Sequence, residues 1–207
     1  MNEVLPGVWH WTALHPRIRK QVHSHWLADA RVILDPMVPP EGVPALDPGP
    51  ERVVLSNRHH QRDAARFVEE FASLPILAPE AGMHEFGPSD PLVGAYAVGD
   101  EVAAGVTAQP MGAICPDDTV LHVRTGGEGL LAFADAIIVW NGELAFVPDF
   151  LMDEPEKVKS ETLERIDDLL ALDFNHLLFA HGDPVIGRGR AALSGFAASP
   201  RSADFGG

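Results

Sequence analysis

"VVLSNRHHQRDAARF", residues 53–67, opens with three apolar residues in a row and closes in a helical pattern. Between them Asn57, Arg58, His59, His60, Gln61, Arg62 and Asp63 stand without a break. A strand-to-helix corner this crowded with ligand-capable side chains directs attention to what stands at the ends of the other strands. "ADA" at 134–136 follows the apolar "GLLAF", and "AHGDP" at 180–184 follows "HLLF". Groups at the ends of neighbouring strands can converge, and converging His and Asp side chains are what a zinc or iron site requires.

The segments around these corners alternate between strand and helix. Residues 1–36 read as a short β-meander, because Trp9, Trp11, Val22 and Trp26 favour strands and Pro6-Gly7 and Asp35-Pro36 break them. Residues 36–50 carry six prolines and two glycines and form a loop. Ala64, Phe67, Val68 and Phe71 trace a helical stripe, and 74–79 reads as a buried strand. Strands follow one another from 93 to 147, with 129–140 as a single run and Asn141-Gly142 as a hairpin turn. A helix spans 154–171, opened by a capping box of Asp153 and Glu156. A strand before 180 and a shorter helix over 188–196 complete the pattern, and 199–207 is expected to be a flexible tail. Strands inside and helices outside define the α/β class, with residues 1–198 as one domain.

Composition narrows the partners. The formal charge of -15 repels phosphate backbones and anionic lipid surfaces, so neither nucleic acid nor a membrane surface is expected as a partner. No apolar run approaches the ~20 residues of a membrane span, and the first residues lack a signal core, so a cytoplasmic location is expected. The single cysteine, Cys115, rules out an internal disulfide and any Cys-rich zinc cage. Ten histidines make imidazole the available ligand.

Across residues 4–196 the chain resembles the metallo-β-lactamase superfamily of metal-dependent hydrolases. "VLPGVWHW" and "VILDP" match its opening strands, "LSNRHHQRD" its T-H-x-H-x-D-H loop, "LLAFAD" its metal-bridging Asp, and "AHGDP" its closing G-H-G-x-P turn. The fold this resemblance implies is an αβ/βα four-layer sandwich, two facing mixed β-sheets with outer helices. Anchoring the loop by its strand puts Asn57 and His59 at the first two His positions, Gln61 at the Asp and Arg62 at the last His. Anchoring it by Asp63 puts His59 first and Gln61 second. The third-His element, "QPMGAICPDD", contains no His. The usual metal pair is therefore not assembled, but a single ion is, from His59 or His60, Asp63, Asp135 and His181.

The resemblance then implies hydrolysis of a small ester, thioester or lactone by metal-activated water, with zinc as the first choice and iron or manganese as alternatives. Asp63 and Asp135 would hold the ion, one of them orienting the water as general base, and Arg58 or Arg62 would bind a substrate carboxylate or phosphate. Two other readings stand beside it. His59 and His60 cap a helix and an Arg62–Asp135 ion pair replaces the metal, leaving a cofactor-free protein that binds a small anion. Or the chain has a structural role, as a homodimer. His23 and His25, two apart on one strand face, offer a separate site or packing. His84, His122 and Cys115 are read as structural. Specificity is assigned to loops 36–50 and 83–92.

Overall fold

The computed structural model describes residues 1–207 except 73, 88, 89, 91, 92, 125, 206 and 207. Part of the loop 83–92 therefore lies outside the described residues. Strands β1 (Asn2–Leu5), β2 (Val8–Leu14), β3 (Gln21–Leu27), β4 (Val32–Leu34), β5 (Arg52–Val54), β6 (Ile76–Pro79) and β7 (Val93–Tyr96) form one sheet in chain order. Its first four strands pair antiparallel and the last four parallel. Strands β8 (Glu101–Ala103), β9 (Val106–Pro110), β10 (Thr119–Val123), β11 (Leu130–Phe133) and β14 (His176–Phe179) form a second sheet, in the order β14-β11-β10-β9-β8. There only β11 and β14 run parallel. Strands β12 (Ile138–Trp140) and β13 (Glu143–Ala145) make a separate ribbon.

Alternation along each strand sorts most of the buried apolar residues into three large clusters, one for each contact between layers, beside a small fourth of Ala13, Val22 and Met37. Val32, Leu34 and Val54 meet Ala108, Leu121, Leu130, Ala132 and Leu178 between the two sheets. Ile33, Val53, Leu55 and Ile76 face the other way, onto Phe67 of helix α1 (Ala64–Glu70). On the far side Leu131, Phe133, Leu177 and Phe179 pack against Val158, Ile166 and Leu169 of α2 (Pro155–Leu169) and Leu193 and Phe196 of α3 (Gly189–Ala198). Helix, sheet, sheet, helix is the expected four-layer order.

Several local expectations change. Residues 129–140 are two strands in different sheets, because the chain turns at 134–137 and the second half pairs with β13. Strand β8, three residues long, pairs antiparallel with β9 across a turn at Ala104-Gly105. Helix α2 opens on Pro155 with Glu154 as its cap and no side-chain capping bond, so the Asp153–Glu156 box does not form; proline needs no amide partner there. Trp11 and Trp26, read from sequence as strand formers, pack with Phe67 of α1. The tail is not free over its described length: Phe146 N–H donates to Arg201 O, Ala203 N–H to Phe146 O, and the Phe205 ring lies 4.6 Å from Trp140. Apolar burial of Ala203 and Phe205 explains the docking. Asn141 and Gly142 do take positive φ, 50° and 80°, as a tight hairpin demands.

Gly195 sits mid-helix in α3 with no atom within 4 Å of an added Cβ. Gly195→Ala should therefore stabilise the protein by roughly 0.5–1 kcal/mol, read as a higher urea midpoint at unchanged slope.

Candidate metal centre

The ends of β4, β5, β11 and β14 and the start of β10 meet at one rim. Parallel pairing of β4 with β5 sets Asp35 beside Ser56, and parallel pairing of β11 with β14 sets Asp135 near His181. Thr119 N–H donates to Ser56 O, and His23 N–H to Ala180 O, so the two sheets are bonded to each other along this rim. After β5 the chain enters a 3₁₀ turn, Arg58–Gln61, capped by Asn57, whose Oδ1 accepts His59 N–H. That turn leaves His59 exposed and His60 buried.

Asp135 is the hub. Its Oδ1 lies 3.2 Å from His60 Nε2 and 3.1 Å from His181 Nε2, while Oδ2 accepts from Asn57 Nδ2 at 2.7 Å. Its own N–H donates to Asp118 Oδ1. Behind His60, Asp35 Oδ2 stands 3.1 Å from Nδ1, and Ser56 Oγ stands 2.9 Å from the same nitrogen. Burial works against charge on His60, but the carboxylates of Asp135 and Asp35 outweigh it and raise the imidazole to about 9. Burial likewise opposes the Asp135 carboxylate, and His60 and His181 reverse that, holding it well below the usual range. Burial next to Asp135 pushes Asp118 up. For His181 burial wins over its bond to Asp135, and its pKa falls.

Two imidazole nitrogens and a carboxylate oxygen thus lie within 4.8 Å of one another. Ligands at about 2.0–2.1 Å in a tetrahedron stand roughly 3.3 Å apart, close to the two N···O separations seen here. The Asp35–His60 bond fixes the ring's orientation in the way a carboxylate behind a metal-bound histidine does. The donor set fits a zinc-class ion.

Of the residues read from sequence, His60, Asp135 and His181 come together. His59 does not join them, although both alignments of the loop favoured it over His60, because the 3₁₀ turn leaves its side chain exposed and directs His60 into the rim. Asp63 is also displaced: its carboxylate accepts Val38 N–H at 2.9 Å, which ties the 36–50 loop to the start of α1 and removes it from ligation and base roles. Neither guanidinium is free as a substrate fork. Arg58 pairs with the buried Asp117, through side chain and amide, and lies 3.6 Å from Glu85. Arg62 donates to the carbonyls of His23, Asp35 and Ala180 from a backbone at φ 41°, a conformation rare outside glycine. Among the described residues no ion pair joins Arg62 to Asp135, so a guanidinium does not stand in for the metal on that carboxylate. His122 Nε2 bonds Asp173 O and His84 is exposed. Burial pushes the Cys115 thiol up to about 12, which keeps it from acting as a thiolate.

Asp35 and Asp118 were missed as contributors. "VILDP" ends a strand in an Asp just as the three noted corners end in polar groups, and that signal was present. A second histidine group borders the centre. His10, His23 and His25 stack face to face on β2 and β3, with His10 to His23 at 5.0 Å and His10 to His25 at 5.3 Å between ring centroids. Burial lowers all three pKa values, His23 to about 3, so the rings are neutral at pH 7.

No protein-family model matches the chain, and no curated protein matches it. Solved structures do. The chain superposes on rubredoxin oxygen:oxidoreductase from Desulfovibrio gigas with a TM-score of 0.65 at 15% identity, covering 95% of this chain and 59% of that one. It therefore spans less than two thirds of that enzyme's length. An archaeal metallo-beta-lactamase superfamily protein from Sulfolobus tokodaii gives 0.62 at 14% identity, over 97% of this chain and 91% of that chain. N-acyl homoserine lactone hydrolase, solved with its product at the catalytic metal centre, gives 0.55 at 11% identity over 84% and 92%. The chain has the metallo-β-lactamase fold. Its rim carries a His, His, Asp group suited to a metal, and among the described residues no helix is long and apolar enough to cross a membrane.

Proposed function

We propose that the chain is a metal-dependent hydrolase of a small ester, thioester or lactone, built on one ion, zinc before iron or manganese, held by His60, Asp135 and His181. The observation that carries the reading is the convergence of both Nε2 atoms on one carboxylate oxygen, with Asp35 supporting His60 from behind. A bound ion of this kind supplies an acidified water and polarises a carbonyl. The chain's own groups do the positioning. Asn57 holds the second oxygen of Asp135, Asp118 holds its amide, and Ser56 with Asp35 keeps His60 Nε2 turned to the centre. The lactone hydrolase with product at its metal supports the substrate class, since it shares the fold. A cytoplasmic location and a homodimer remain part of this proposal.

Metal analysis of tag-free protein tests it. His181→Ala should lower the metal content by about one equivalent relative to wild type, whereas His122→Ala should leave it unchanged. Equal content in both would remove the ligand assignment.

A further inference from the structure

The histidines of the meander are not absorbed by the centre just described. In the β2–β3 register His10 opposes His25 and Thr12 opposes His23, so these residues share the face opposite Trp11 and Trp26. Val8 and Leu27, next along that face, lie in the core between the sheets, which places the histidines at the inner rim. His10 Nε2 is 2.8 Å from His23 Nδ1, and an oxygen of the exposed Asp183 carboxylate completes a group whose ligand atoms lie within 4.8 Å of one another.

From this geometry we infer a second metal site, in which His10, His23 and Asp183 bind a zinc-class divalent transition ion. Two neutral imidazoles and a carboxylate are a borderline-soft donor set that takes zinc, cobalt, nickel or iron(II) and suits magnesium or calcium poorly. Asp183 keeps the site open to solvent, so an ion has an entry path. An independent sign of a missing partner comes from His25, whose Nε2 is buried without a hydrogen-bond partner among the described residues while its ring stacks on His10. Buried polar groups in this state call for an explanation, and a metal-bound water beside His10 supplies one. His181 and Asp183 flank Gly182, so one turn contributes a ligand to each site.

The test uses the tag-free full chain, stripped with chelator and titrated with Co²⁺ by absorption and with Zn²⁺ by equilibrium dialysis. Wild type should bind about two equivalents, and His181→Ala should keep about one. Asp183→Asn, at an exposed position that spares the core, should weaken one equivalent by more than about tenfold and leave the other. The double variant should lose the tight equivalents and keep only the weakened one. A single wild-type equivalent that is lost in Asp183→Asn but kept in His181→Ala supports this site and overturns the hydrolase centre. A single equivalent lost only in His181→Ala overturns this site and spares that centre. Two equivalents with unchanged affinity in Asp183→Asn, or no binding at all, also overturn it.

Discussion

Asp135→Ala should abolish the metal uptake proposed for the centre and cost the chelator-treated protein about 3 kcal/mol at neutral pH, because a buried pair is broken from one side. The carboxylate accepts from His60, His181 and Asn57 together, so its loss leaves several donors facing an apolar methyl group. Denaturant unfolding at pH 7 reads the loss, and an unchanged midpoint would show that the rim does not depend on Asp135. The pH profile adds a sharper check. His60 moves from 6.5 in the unfolded chain to about 9 in the fold, so its contribution is complete below pH 6.5 and disappears as pH rises through about 9. Metal-free wild type should therefore lose stability over that window. In Asp135→Ala the decline should be shallower, since one of the two carboxylates that raise His60 is gone. Because metal takes the neutral ring, loading wild type below pH 9 should also release a proton.

Gly182→Ala should be nearly as damaging without touching any ligand. Gly182 has φ +120°, and an added Cβ would lie 2.4 Å from Val139 Cβ and 2.8 Å from its Cα and N. Val139 cannot step back, because its N–H is bonded to His181 O at 2.9 Å and its strand is paired with β13. Backbone strain and overpacking together should cost on the order of 3 kcal/mol. Gly126→Ala, with open space at its Cβ and no positive φ, is the control and should stay within about 0.5 kcal/mol of wild type. Equal midpoints for the two variants would mean that the turn tolerates a side chain.

The four layers were legible because apolar alternation and helical stripes are local properties. The chemistry was legible only in part. Asp135 and His181 follow from their strand ends, but no periodicity tells which of His59 and His60 turns inward on a 3₁₀ turn; the Asn57 cap decides that. Asp35 matters only because β4 lies parallel to β5 and brings it beside Ser56 and His60, a long-range pairing. Arg58 and Arg62 look like substrate forks in a string of letters, yet one neutralises Asp117 and the other satisfies three carbonyls. His10 gains its meaning from a register with β3 that no turn motif specifies.

His60 stands on the turn that follows β5 of the first sheet, while Asp135 and His181 follow β11 and β14 of the second. An ion held there, as proposed, would act as a clasp across the two halves of the molecule. Amide hydrogen exchange in β4–β5 and in β11–β14 should then slow in concert on loading, as two leaves closed by one pin.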